Sequence, residues 1–252
     1  MNKFCRLVLI ATLFDLMLQA RVATAGEFSV NPIRLELGAN VRSSVIGIKN
    51  EGQSKLSFQL QAMEWTQDAA GKDQYTDTQD LIFFPKILSV ESGQEGLIRV
   101  GSKITAVSQE KTYRLFIEEL PGAAKSAEGS AAQINVLIRF GAPIFITPLK
   151  PQDNLDIETF SLTKGIVSLS ARNTGNRHQI VQGINLKGTD SAGKEVYALA
   201  LADRYLLSGT AKSYTTTLTA AQCVKMTALM LEFKTDKFST PRKLDVSPAM
   251  CP

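Results

Sequence analysis

Gln133-Ile134-Asn135-Val136-Leu137-Ile138-Arg139-Phe140 places Ile134, Val136, Ile138 and Phe140 at every second position. That spacing points side chains to one face of a β-strand. The segment before it, Pro121-Gly122-Ala123-Ala124-Lys125-Ser126-Ala127-Glu128-Gly129-Ser130, is small-residued and turn-rich. A strand fed by such a loop has two uses. It can be a core strand of a sandwich, or it can lie at an edge and offer its apolar row to another chain by strand addition. Periodicity reports burial on one face and not what covers it, so the pattern alone leaves both uses open.

Working outward, short alternating runs recur at 28–37, 44–49, 56–65, 97–100 and 113–118, while helical periodicity is nearly absent. Turn chemistry separates the runs: Asn50-Glu51-Gly52, Asp68 to Gly71, Ser92-Gly93-Gln94-Glu95-Gly96 and Pro121-Gly122. Many short strands at fairly even spacing predict an antiparallel sandwich or barrel. Pro148 and Pro151 then mark a boundary, because two prolines three apart cannot both sit in a continuing central strand. A second set of strands follows at 166–170, 180–186, 195–200, 212–218 and 226–233, joined by tight turns. The expectation is an all-β chain of two domains, 26–148 and 149–252. Trp65 and the phenylalanines read as core residues.

The first residues read as an export signal, with a basic start at Lys3 and Arg6, an apolar run from Leu7 to Phe14, and small residues Ala23 and Ala25. The run is far shorter than the ~20 residues of a spanning helix, so no membrane-embedded segment is expected. Cleavage after Ala25 makes 1–25 a signal peptide. It removes three cations and one anion, which takes the net charge from +4 to about +2. Such a balance is no nucleic-acid footprint, which needs a concentrated basic face. Cys5 leaves with the peptide, and the exported pair Cys223 and Cys251 reads as a disulfide tying the tail to a strand near Val224.

Catalytic signals are missing. The one histidine, His178, sits in the turn Arg172-Asn173-Thr174-Gly175-Asn176-Arg177-His178, with no nucleophile elbow to serve. Neither His178 nor the cysteine pair supplies ligands at metal spacing, and no phosphate-binding glycine motif occurs. No metal, cofactor or enzymatic activity is therefore expected. Glu118 and Glu119, adjacent in a strand, point to opposite faces. Binding remains. Arg34, in Asn31-Pro32-Ile33-Arg34-Leu35-Glu36-Leu37, is a charge within an apolar run and needs a partner. That partner is either an acidic side chain of the same domain or an external carboxylate, which a guanidinium clamps with two parallel hydrogen bonds.

Taken together, these stretches resemble the periplasmic chaperones of the chaperone–usher pilus pathway, across essentially the whole chain after the signal. The resemblance begins with Phe28-Ser29-Val30-Asn31-Pro32-Ile33-Arg34 and continues through Phe84-Pro85-Lys86-Ile87-Leu88-Ser89-Val90-Glu91-Ser92-Gly93. Its most specific piece is Tyr113-Arg114-Leu115-Phe116-Ile117-Glu118-Glu119-Leu120-Pro121, followed by the strand 134–140 and Pro143-Ile144-Phe145-Ile146-Thr147-Pro148. It implies two immunoglobulin-like β-sandwich domains in an angled arrangement. It implies further that Ile134, Val136, Ile138 and Phe140 form a donor strand filling the open groove of an incomplete immunoglobulin-like pilus subunit. Arg34 then matches the cleft arginine that binds the subunit's C-terminal carboxylate, and an outer-membrane usher receives the complex. The commonest pattern pairs that arginine with a lysine where this chain has Pro143. Arg139 shares the strand parity of position 143 and can substitute if the strand stays regular. The missing lysine, the Tyr-Arg-Leu run and Gly141-Ala142-Pro143 look more like the archaic, spore-coat-protein-U-type branch. An exposed apolar strand also allows a self-capping dimer when unloaded. The alternative reading is an exported immunoglobulin-like adhesin or fibre component that uses the strand internally.

Overall fold

The computed structural model describes residues 28–104, 106–122 and 136–252. Ten strands form the first sandwich. They are β1 (Phe28–Asn31), β2 (Leu35–Leu37), β3 (Ser43–Asn50), β4 (Leu56–Gln67), β5 (Asp73–Asp77), β6 (Leu81–Phe84), β7 (Ile87–Val90), β8 (Glu95–Ser102), β9 (Lys111–Glu119) and β10 (Arg139–Ile146). One sheet has the order β1-β3-β8-β6; the other runs β2-β10-β9-β4-β5, with β7 also paired to β4. Even residues Leu56, Phe58, Leu60 and Ala62 of β4 meet Tyr113, Leu115 and Ile117 of β9 and Ile46, Ile48, Ile98 and Val100 of the facing sheet in one core.

The single strand expected over 28–37 is two. Pro32 cannot donate to a ladder, and the chain changes sheets across it: β1 pairs with β3, whereas β2 runs parallel to β10. β5, β6 and β7 were not expected, being short and polar or flanked by Pro85.

Eight strands form the second sandwich: β11 (Leu155–Thr163), β12 (Ile166–Asn173), β13 (Gln179–Thr189), β14 (Glu195–Leu201), β15 (Tyr205–Leu206), β16 (Ala211–Thr217), β17 (Ala228–Thr235) and β18 (Ser239–Asp245). The sheets are β11-β12-β16 and β14-β13-β17-β18, with β15 paired to β13. Among the described residues, no ladder joins strands of the two sandwiches. The two share one device. Asn50 ends β3 and Asn173 ends β12, each followed two residues later by glycine. Each buried amide accepts from that glycine's N–H and donates to two carbonyls, Ser54 and Val90 for the first, Arg177 and Leu206 for the second.

The seam between the sandwiches is built on the far face of the β4-β9-β10 sheet. Trp65 and Phe145, on the parity opposite to the core row, are fully buried against Tyr205 and Leu207 of the second sandwich. Trp65 is thus buried as expected, but at the seam. The turn at Asn176 docks polar groups alongside. Asn176 donates to the carbonyls of Ser108 and Lys150 (both 2.9 Å) and accepts from the Glu110 N–H (2.8 Å). Gln67 donates to the Tyr205 carbonyl and accepts from the Leu207 N–H, both at 3.0 Å.

Candidate functional site

Strand β10 has one complete edge and one incomplete edge. β9 pairs with it from Arg139↔Glu118 to Ile146↔Lys111, whereas β2 covers only Ile144 to Ile146. From Arg139 to Pro143 the outer edge has no partner strand among the described residues. The Glu119 N–H donates to the Ile138 carbonyl (2.9 Å), so even residues of β10 turn their backbone groups to β9. Odd residues turn theirs outward, in agreement with the Thr147 N–H donating to the Leu37 carbonyl of β2 (2.7 Å). Pro143 is odd, so its missing N–H costs the β9 ladder nothing. A proline is tolerated at such an edge.

The strand expected over 134–140 begins instead at Arg139 and continues to Ile146. Among the described residues, Val136 to Ile138 stay outside the strand because the β9 side runs out of donors. After Glu119 the next residue facing β10 is Pro121, which has no N–H to give, while Leu120 continues the ladder to β4 through the Ser57 carbonyl (2.7 Å). Of the four donor-strand residues, Ile134 lies outside the described residues. Val136 is 75% exposed, and its neighbour Leu137 is 47% exposed. Ile138 is half-buried, with its N–H held by the Glu119 carboxylate (3.3 Å). Phe140 packs on the first core. The even row thus runs from solvent at Val136 into the core at Ala142, Ile144 and Ile146.

Arg34 stands just before β2, exposed, with Nη2 3.7 Å from Glu36 Oε1. Arg139 is engaged elsewhere: its guanidinium lies 4.0 Å over the Phe116 ring and 3.3 Å from Glu118. Sequence reasoning did not single out Arg114, whose guanidinium carbon lies over the Trp65 ring, 3.9 Å from its centroid, while Nη1 donates to the Gly141 carbonyl (2.9 Å). Alternating with core-facing Tyr113 and Leu115, it reads in sequence as a solvated strand charge, yet its side chain is only 15% exposed. Beside it the Tyr75 hydroxyl donates to Asp73 (3.2 Å). Burial first, and the Asp73 carboxylate second, hold that phenol above its ordinary range.

The cysteines pair as expected, Cys223 to Cys251. Cys223 lies not on a strand but in a one-turn helix, Ala220–Cys223. Its start is fixed by Thr219, whose hydroxyl accepts from the Gln222 N–H while the Gln222 side chain caps the Thr219 N–H.

The described fold recurs in solved structures. The CsuC–CsuE chaperone–tip adhesion subunit complex of archaic chaperone–usher Csu pili from Acinetobacter baumannii aligns with TM-score 0.57 and 17% identity, over 86% of this chain and 98% of that one. The Salmonella enterica SafA pilin complex with the SafB chaperone aligns at 0.56 and 12% identity, over 89% and 99%. The Pseudomonas aeruginosa CupB2 chaperone aligns at 0.51 and 13%, over 86% and 99%. At such identities the likeness is one of fold. No curated protein sequence matches the chain. The profile of the pili and flagellar-assembly chaperones, PapD N-terminal domain, matches residues 27–152, which takes in the first sandwich and the open edge of β10. By that match over half its length, the chain belongs to the pili and flagellar-assembly chaperone family.

Proposed function

We propose that this protein is a periplasmic chaperone of the archaic branch of pilus assembly. Exported by cleavage of its first residues, it holds an incomplete immunoglobulin-like subunit by donor-strand complementation and passes it to an outer-membrane usher. The observation that carries this reading is the incomplete edge of β10 joined to an apolar row that leaves the core and reaches solvent at Val136. An open backbone edge supplies hydrogen bonds in register, and alternate side chains supply the fit. Of Ile134, Val136, Ile138 and Phe140, a side chain carried from solvent into a subunit groove contributes ~1.5–3 kcal/mol by burial, and the half-buried Ile138 and Phe140 contribute less. Arg34 receives the subunit's terminal carboxylate and fixes the register, since a slip of one residue turns the whole row away from the groove. Unloaded, two such edges cap each other as a dimer. The test is co-purification from periplasm of wild type and Ile138→Asp, with mass spectrometry of stoichiometric partners. A pilin-like subunit present with the wild type alone is expected; a clean monomer from both overturns the reading.

A further inference from the structure

Glu118 and Glu119 end β9 and face opposite sides of the sheet. Glu119 shares the inward parity of Tyr113, Leu115 and Ile117, whereas Glu118 shares the outward parity of Phe116. Both meet β10 where the apolar row leaves the core. The register Phe140↔Ile117 and Arg139↔Glu118 sets Ile138 opposite Glu119. A pair of this parity ordinarily exchanges two backbone hydrogen bonds. One is made, from the Glu119 N–H to the Ile138 carbonyl (2.9 Å). The return bond leaves the backbone: the Ile138 N–H donates to Oε2 of the Glu119 side chain (3.3 Å). The carboxylate stands in for a main-chain carbonyl.

Glu118 takes hold of the next residue from the other face. Its Oε2 lies 3.3 Å from Arg139 Nε, and the Arg139 guanidinium lies 4.0 Å over the Phe116 ring. Both side chains are about half exposed (49% and 56%), so this bridge adds little stability. What it fixes is the direction in which β10 starts. Beyond these two contacts Val136 to Ile138 belong to no strand, and Val136 is 75% exposed. A rotation at one residue there would turn Val136 away from the side that Ile138 faces.

We propose that Glu119 is a positioning residue for the apolar row: its carboxylate holds the Ile138 N–H and so sets the face that Val136 and Ile138 offer to a docked guest, with Glu118 bracing Arg139 from the opposite face. This inference rests on the docking reading given above. A side-chain acceptor suits the task on two counts. Its charge strengthens the bond, and the residue that supplies it is pinned in its own ladder by the pairing Phe58↔Glu119 with β4.

The experiment joins NMR of the full chain to titration with an eight-residue peptide of alternating valine and threonine, blocked at both ends. In the wild type the Ile138 amide resonance is expected to follow the Glu119 carboxyl carbon through its titration, a readout that needs no variant to fold. Glu119→Leu is expected to speed Ile138 amide exchange about tenfold while Leu115 and Ile117 keep their protection. Peptide binding weakens about fivefold in the same variant, the scale of one net hydrogen bond. Glu119→Gln retains an oxygen acceptor and recovers most of both effects. A general loss of stability would expose Leu115 and Ile117 as well. An Ile138 amide blind to the Glu119 titration, or Glu119→Leu binding the peptide as tightly as wild type, overturns the assignment. Peptide that leaves the wild type unbound, or binds Ile138→Asp equally well, overturns the docking reading itself, while the amide readouts still decide whether Glu119 holds Ile138.

Discussion

The imidazole of His178 lies flat against the Phe145 ring, centroids 3.7 Å apart and planes 14° from parallel. Phe145 belongs to β10 and His178 to the turn before β13, so the root of the open-edged strand is gripped by the second sandwich. The same Glu110 oxygen accepts from the His178 backbone N–H (2.7 Å) and meets its Nδ1 (2.8 Å), all of it buried.

Glu110→Ala strips a buried N–H and a ring nitrogen of their partner, a loss of about 1–3 kcal/mol per group. Scanning calorimetry is expected to show the two sandwiches unfolding in separate transitions, where the wild type shows one. His178→Ala separates them less, since the Trp65–Tyr205 contact remains.

Val136 and Phe140 share one parity but have different surroundings. Val136→Asp changes an exposed side chain, so thermal stability stays within about 0.5 kcal/mol while subunit capture is lost. Phe140→Ala removes packing from the first core and costs about 1–3 kcal/mol of stability, short of the value for a fully buried ring. Paired capture assays and melting curves separate the two effects.

Acid weakens the fold through two named carboxylates. Arg177, donating twice to Asp153 (2.7 and 2.5 Å), holds that carboxyl below its usual range. The Tyr113 hydroxyl (2.7 Å), and after it Lys111, does the same for Asp80. A carboxyl depressed in the folded state binds fewer protons than in the unfolded chain. Its stabilisation is therefore complete above about pH 4 and is lost as pH falls through the folded value. Melting curves between pH 7 and pH 2.5 are expected to drop below about pH 4. Asp153→Asn lowers the melting temperature at neutral pH and flattens that acid limb.

The Cys223–Cys251 link spans 28 residues. By loop-closure entropy its removal costs about 3–4 kcal/mol. Cys223→Ala with Cys251→Ala is expected to lower the melting of the second sandwich and leave that of the first in place, as read by denaturant titration.

The two-sandwich architecture was legible because alternation survives wherever one face of a strand is buried: Leu56 to Ala62 and Tyr113 to Ile117 declare their inward rows outright. The disulfide was legible from the expected export signal and an even cysteine pair. The start of β10 at Arg139 was not, because a ladder ends where its neighbour stops donating, and Pro121 after β9 leaves no mark in the residues 136–138. Arg114 and Trp65 escaped for a related reason. Their face is buried by a sandwich remote in sequence, so a charge and an aromatic on the outward parity look solvated or core-bound. The Asn173 to His178 turn was noticed without its role, since its partners Ser108 and Glu110 lie about seventy residues away.

Pro143 gives the open edge a length. Facing outward within β10, Arg139 and Gly141 each present an N–H, Pro143 presents none, and the next outward residue, Phe145, is already beside β2. A strand laid there runs out of donors at a fixed point, as a key stops at the shoulder of a lock. On the docking reading proposed above, the edge measures its guest, and a strand displaced toward β2 finds nothing further to hold.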